Sequence, residues 1–349
     1  MVSFLRGWRG QFALAALFFL ALASPAAASI GDQLPEFKEC VEICKHENCG
    51  PGAEQQTAIP LHRRLLLWTC PAECDYTCQQ IITAARQSRD PPQPVVQFHG
   101  KWPFRRFLGM QEPLSVLFSL GNLAAHYYGL HRQVRPRIPA AYTMRPFYVF
   151  LARLGMVTWL LSAVFHTRDF PITEQLDYFG AGASVLYGMY YAAVRIWGLD
   201  RPGNRRRLRA WTWFCGTLYA CHVAYLRLWR WDYTYNTLAC VVCGVVQNGL
   251  WSWFSWQRYR QTGETWAVWP GVVVMWVLMA MSLELFDFPP LWGSLDAHSL
   301  WHLGTIAPAV LFYQYVTLAE TPLRRFCADG SLLVSSSRTH RTTLPGMLG

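Results

Sequence analysis

The sequence predicts an all-α membrane protein, a seven-transmembrane helix bundle with a small disulfide-rich domain at its N-terminal, lumenal side. Three observations predict it. Of the 349 residues, 52% are hydrophobic and 15% charged, against about 25% charge in a typical soluble domain. The apolar residues gather into blocks of roughly 20 residues, the length needed to cross the hydrocarbon core. Six of the eleven cysteines crowd into a polar stretch ahead of the first block, a usage that belongs to oxidising compartments.

Residues 1–28 read as a secretory signal peptide. Arg6 and Arg9 precede an apolar run from Phe12 to Leu22, which closes on Ser24, Pro25 and the triplet Ala26, Ala27 and Ala28. The run is too short to span a membrane, and the small residues form a cleavage pattern. The mature N-terminus is therefore expected on the lumenal or external side.

Residues 29–103 form the expected lumenal domain, with cysteines at Cys40, Cys44 and Cys49 and again at Cys70, Cys74 and Cys78. Spacing of four places Cys40 with Cys44, and Cys70 with Cys74 and Cys78, along helix faces. Two short helices stapled in antiparallel nesting satisfy that geometry, although six cysteines leave the connectivity open. Zinc binding by these thiols is the competing idea, and lumenal oxidation argues against it.

Residues 104–320 contain the seven blocks: about Phe107 to Leu130, Pro146 to His166, Leu176 to Trp197, Ala210 to Leu226, Tyr235 to Trp256, Trp266 to Phe286 and His298 to Leu318. Trp211, Trp229, Trp231, Trp251, Trp253, Trp256, Trp266 and Trp269 crowd their ends, as rings anchored at the headgroup level do. A lumenal start makes the loops after spans one, three and five, and the tail 321–349, cytosolic. Charge tests that independently. Arg132, Arg135, Arg137 and Arg145, then Arg201, Arg205, Arg206, Arg207 and Arg209, then Arg258 and Arg260, then Arg324, Arg325, Arg338 and Arg341 fall on the cytosolic side, while the lumenal loops between spans hold Arg168, Arg227 and Arg230. The positive-inside rule agrees with the signal peptide. It also makes the net charge of +10 topogenic, which removes nucleic acid as a partner. Cys240-x-x-Cys243 lies inside a span without the strand-to-helix setting of a redox motif, so both residues, like Cys215 and Cys221, are assigned to packing.

Five polar residues then reach one membrane level. Span two runs outward and ends on Ser162 and His166, Asp177 opens span three after a short lumenal loop containing Pro171, and His298 with His302 opens span seven at the same edge. Ionisable residues inside spans are costly and usually functional. Each pair at spacing four projects from one helix face with Cβ atoms about 5–6 Å apart. Three neutral imidazoles with an open position make a catalytic zinc site, which lowers the pKa of its water to about 7. No Glu sits between His298 and His302, so this is no H-E-x-x-H zincin, and Asp177 is left as base. Ser162 is placed to donate a hydrogen bond to a carbonyl or its developing oxyanion, and Asp296 to fix a histidine tautomer from behind.

Other polar residues read as ordinary. His126, His131 and His222 are assigned to the interface, where amphipathic side chains settle, and Glu284 and Asp287 to the lumenal end of span six as interfacial acids.

The runs Ser162-Ala-Val-Phe-His166-Thr-Arg-Asp-Phe and Thr173-Glu-Gln-Leu-Asp177-Tyr-Phe-Gly-Ala, with Leu295-Asp-Ala-His298-Ser-Leu-Trp-His302, resemble the CREST superfamily of membrane hydrolases. Within it, the signal peptide, the cysteine-rich segment and the motif wording are most similar to the post-GPI-attachment to proteins factor three family, over nearly the whole mature chain to about Glu320. The resemblance implies a phospholipase A2-like enzyme that removes the sn-2 acyl chain from GPI-anchored proteins. It also implies that Ser162, His166, Asp177, His298 and His302 are the active-site residues and that the metal is zinc. GPI-anchored proteins and their lipid anchor are then the substrate, and the endoplasmic reticulum membrane, or else the Golgi membrane, is the expected residence, with the C-terminus cytosolic. The end Leu344-Pro-Gly-Met-Leu-Gly349 carries no K-D-E-L type retention signal.

Two mechanisms remain open on these residues: hydrolysis by metal-activated water, and an acyl-enzyme on Ser162 with a histidine as base. Two other functional classes also remain, a ceramidase-like lipid amidase and a non-catalytic receptor or escort for GPI-anchored proteins.

Overall fold

The computed structural model describes residues 29–50, 59–284 and 286–319. The expected signal peptide at 1–28 and the tail at 321–349 lie outside the described residues. Among these, the fold is helical with no β-strand, only isolated bridges such as Phe98 with Lys101 and Leu291 with Leu295.

The cysteine-rich region is a helical hairpin of α1 (Pro35–Cys49) and α2 (Cys70–Gln87), each with a proline in its first turn, where the missing N–H is harmless. Disulfides join Cys40 to Cys78, Cys44 to Cys74 and Cys49 to Cys70. This is the nested antiparallel stapling that the spacing predicted, and it leaves none of these six sulfurs as a free thiolate for zinc. Beneath the staples, Phe37, Val41, Ile82, Val96 and Phe98 form a small core. Gly31 closes it: its N–H donates to the Gln97 carbonyl at 3.0 Å, and a Cβ there would lie 2.5 Å from that oxygen and from the Phe98 ring.

Helices then occupy each apolar block: α3 (Pro113–Tyr128), α4 (Arg145–Thr167), α5 (Pro171–Ile196), α6 (Arg205–Ala224), α7 (Tyr233–Thr262), α8 (Trp269–Glu284) and α9 (Ala297–Ala319). Three are long and apolar enough to cross a membrane by length and composition: α4, α7, and α8 together with the 3-10 turn before it, Thr265–Glu284. The others are shorter or more polar. α3 passes into a π-helical turn after 16 residues, α5 opens on Glu174 and Asp177, and α6 opens on three arginines.

The helix order in space positions the site. α3 packs against both α4 and α9, α4 also meets α5, and α9 also meets α8. α4 and α9 therefore flank α3, with α5 beyond α4 and α8 beyond α9. A large core of Tyr148, Tyr191, Trp251, Phe254, Tyr313 and Val316 fills the bundle. The α4–α5 connection is tighter than the expected loop, because Thr167 still belongs to α4 and α5 already starts at Pro171. Thr173 makes this abrupt turn possible, its hydroxyl accepting from the Phe170 N–H at 2.9 Å and donating to the Arg168 carbonyl at 3.1 Å.

Candidate active site

The last turn of α4 carries Ser162 and His166, both buried. Carbonyls at a helix C-terminus lack intrahelical partners, and here the segment before α3 supplies them: the Glu112 N–H donates to the His166 carbonyl at 3.0 Å and the Gln111 N–H to the Thr167 carbonyl at 3.0 Å. This backbone pairing sets the Glu112 side chain beside the ring it has just capped. Glu112 then meets Nδ1 of His166 at 2.7 Å.

The first turn of α9 carries His298 and His302. Asp296 caps this helix, accepting from the Ser299 N–H at 2.9 Å while its own N–H donates to Ser299 Oγ at 3.0 Å. That corrects its expected role behind a histidine, since its carboxylate is used on backbone. Glu284 stands behind His298 instead, both carboxylate oxygens lying 2.9 Å from Nδ1. His302 is buried, with Nδ1 3.0 Å from Ser119 Oγ and 3.4 Å from the Ser115 carbonyl. Trp159 meets its ring edge-on at 5.2 Å.

Tautomers follow from these partners. Carboxylates and carbonyls only accept, so Nδ1 carries the proton in all three rings, and in the neutral ring Nε2 keeps its lone pair. The three rings offer ligand atoms that all lie within 4.8 Å of one another, and Nε2 of His166 and Nε2 of His298 are 3.4 Å apart. At that distance the two nitrogens can share a proton or be bridged by a metal ion. Zinc–nitrogen bonds of about 2.0–2.1 Å in tetrahedral geometry require nitrogens about 3.3–3.4 Å apart, and histidine ligands anchored at the far nitrogen by carboxylates are the usual arrangement around a metal. One pair of ring nitrogens has that spacing, and the three together, within 4.8 Å of one another, could hold a metal ion.

Ser162 Oγ lies 3.1 Å from Ser119 Oγ, so a chain runs from Ser162 through Ser119 to His302. Ser162, Asp177, His298 and His302 open together on a cavity of about 410 Å³ that continues between the helices to Trp251, Val274, Phe312 and Tyr313. Of the five residues singled out by sequence, the three histidines thus touch one another, Ser162 joins them through Ser119, and Asp177 shares the cavity wall without a hydrogen bond to the histidines among the described residues.

The side chains behind the histidines escape a reading by motif. Glu112, Glu284 and Ser119 are spread over three segments, and only Glu284 stood out, as an interfacial acid; its contact with His298 replaces that assignment. Asp287 likewise is not a bare interfacial acid, since it accepts from Trp102 Nε1 at 2.9 Å and Gln97 Nε2 at 3.1 Å and ties the loop before α9 to the cysteine-rich region. His126 and His222, expected at the interface, both face other parts of the protein. His126 lines the cavity with Nδ1 2.8 Å from the Tyr313 hydroxyl, and His222 is buried beside Tyr219 and Tyr235. His131 stacks on Tyr127. Cys215, Cys221, Cys240 and Cys243 are free thiols.

A Lys101 ammonium completes the surroundings, 2.6 Å from Glu112 Oε1 and 3.0 Å from Asp169 Oδ2. Burial disfavours its charge, but Glu112 and Asp169 outweigh burial and raise its pKa above the usual lysine value.

Comparison with known proteins adds an independent line. The model of the Per1-like family matches residues 60–318. A protein of Schizosaccharomyces pombe named "Protein PER1 homolog" is 39% identical over 302 residues, covering 85% of this chain and 89% of that protein. Proteins named "GPI-specific phospholipase A2-like PGAP3" are 39% identical over 297 residues in Homo sapiens, covering 84% of this chain and 90% of the relative, and 37% identical over 309 residues in Xenopus laevis, covering 87% and 94%.

Proposed function

Because this chain belongs to the Per1-like family, we propose that it is a GPI-anchor remodelling hydrolase of the membrane that removes the sn-2 acyl chain from GPI-anchored proteins. The observation that carries the reading is the set of three histidines whose Nδ1 atoms are each engaged by an acceptor while their ligand atoms gather within 4.8 Å. His298 and His302 of that set line a largely apolar cavity, as cleavage of a lipid ester requires. The names of the relatives in Homo sapiens and Xenopus laevis support the substrate class.

In this reading His166, His298 and His302 would hold the zinc. When bound, zinc supplies a Lewis acid for the ester carbonyl and an activated water. The chain's own residues do the rest. Asp177 takes the proton from water and returns it to the departing glycerol oxygen, so that water adds across the acyl C–O bond and a fatty acid and a lyso-anchor leave. Ser162 donates its hydroxyl proton in a hydrogen bond to the carbonyl oxygen as negative charge develops there. Ser119 and His302 fix the direction of that hydroxyl. An acyl-enzyme on Ser162 is disfavoured, because Ser162 Oγ meets Ser119 and no imidazole among the described residues, and a nucleophilic serine needs a base within hydrogen-bond reach.

The same reading sets the protein in the membrane. It takes a signal peptide at 1–28, a lumenal domain at 29–103, a seven-span domain at 104–320 and a cytosolic tail at 321–349, with the site at the lumenal edge of the endoplasmic reticulum or Golgi membrane. The acyl chain then enters the cavity from the bilayer while glycan and attached protein stay in water.

Mass spectrometry of the lipid on a GPI-anchored reporter tests this, in cells lacking the protein and re-supplied with wild type or His302→Ala. Wild type alone should yield anchors without the sn-2 chain. Equal restoration by both would replace the hydrolase with an escort, and release of fatty acid from ceramide instead would replace it with an amidase.

A further inference from the structure

A second cleft, of about 430 Å³, lies where the cysteine-rich hairpin meets the end of α4, and it differs in character from the apolar cavity. Lys45, Trp68, Trp102, Lys101, Arg106 and Arg168 line it. Most of its charges are already paired. Arg106 makes a two-pronged contact with Glu73 at 2.9 and 2.6 Å, Lys101 is held by Glu112 and Asp169, and His99 by Asp75 and Asp32.

Arg168 is the exception. Its guanidinium lies 3.9 Å from the centre of the Trp68 ring and 4.8 Å from that of Phe170, so its position is fixed by aromatic faces. No carboxylate lies within ion-pair distance among the described residues, and its buried Nε has no hydrogen-bond partner. A guanidinium held by ring faces with its N–H groups unused is prepared for an oxyanion, which it binds through paired N–H donors. Lys45, exposed on α1, lines the cleft as a second cation, with no acid partner among the described residues.

Position gives the cleft its meaning. Arg168 follows His166 by two residues, and Lys101 both lines the cleft and touches Glu112, the residue behind His166. In a glycerophospholipid the phosphate-bearing carbon is the neighbour of the carbon bearing the sn-2 ester. A site that cuts that ester must therefore accommodate a phosphodiester close by, on the aqueous side.

We propose that this cleft is the head-group subsite, in which Arg168 and Lys45 bind the phosphate of a phosphoinositol group and Trp102 bounds the inositol ring. The proposal rests on the hydrolase reading above and names the part of the substrate that the apolar cavity does not hold.

Titration calorimetry of the purified full-length protein in detergent micelles tests it, with inositol 1-phosphate, inorganic phosphate and myo-inositol as separate probes. Inositol 1-phosphate should bind wild type and His302→Ala alike, and Arg168→Gln should weaken it at least about 10-fold, as expected for loss of a charge-assisted contact. Lys45→Glu, on an exposed face where folding is not at stake, should weaken it several-fold. Unchanged binding in Lys45→Glu and in a disulfide-intact Arg168→Gln overturns the subsite. Equal affinity for inorganic phosphate and inositol 1-phosphate also overturns it, leaving only a free-phosphate site. Because these readings need no turnover, binding that obeys the prediction in a protein that fails to deacylate would sink the hydrolase and leave the cleft.

Discussion

Glu112 accepts a hydrogen bond from Nδ1 of His166 at 2.7 Å, joining the segment that leads into α3 to the last turn of α4. A carboxylate behind a histidine fixes the tautomer and increases the basicity of the nitrogen that faces the metal, and loss of such a partner typically costs about 10–100-fold in metal affinity. Glu112→Gln should therefore reduce zinc retention by that factor against a competing chelator, with deacylation falling in parallel and restored by excess zinc. Zinc retention equal to wild type would place Glu112 outside the metal's support.

Lys101 compensates two carboxylates at once, of which Glu112 is poorly solvated, its side chain 6% exposed, and Asp169 is 30% exposed. Removing the cation leaves Glu112 and Asp169 facing each other without it, and breaking a buried pair from one side costs about 3–5 kcal/mol. Lys101 is itself partly exposed, which lowers the expectation for Lys101→Met to about 2 kcal/mol. The check is thermal unfolding in micelles. Double replacement, Lys101→Met with Asp169→Asn, should recover part of the loss.

The sequence made the helical class, the disulfide hairpin and the histidine cluster legible for different reasons. Cysteines at spacing four declare a helix face, and the antiparallel nest follows once both helices do so; Cys40–Cys78, Cys44–Cys74 and Cys49–Cys70 obey it. His298 and His302 are likewise one turn apart. Glu112 was illegible because what brings it to His166 is a backbone contact between segments distant in the chain. Asp296 misled because an acid two residues before a histidine is also the cap of the helix that carries it, and the backbone N–H of Ser299 wins the competition.

His99 carries the clearest pH signature outside the membrane helices. Its hydrogen bond to Asp75 at 2.9 Å raises its pKa above the usual 6.5, with Asp75 and Asp32 adding attraction and burial opposing. A raised folded-state pKa means that the stabilisation is complete below the unfolded value and is lost as pH rises through the folded one. Resistance of the hairpin region to proteolysis should thus fall as pH climbs from mildly acidic to mildly alkaline. His99→Gln should flatten this dependence, and a slope that survives the substitution would assign it to another group.

Gly155 governs how closely α3 and α4 approach beside the apolar cavity. A Cβ added there would come within 2.4 Å of the His126 ring, which is itself held by the Tyr313 hydroxyl at 2.8 Å. Both Gly155 and His126 line the cavity, so a larger side chain has to displace the imidazole or project into the space assigned to the acyl chain. Overpacking of this kind typically costs about 1–3 kcal/mol. Gly155→Leu should therefore lower the melting temperature modestly. It should also slow release of long, unsaturated chains far more than release of a short-chain analogue, while zinc content stays at the wild-type level because none of the three histidines is touched. An equal decline on long and short chains with zinc retained would mean that the acyl group lies elsewhere, and the cavity would lose its assigned occupant.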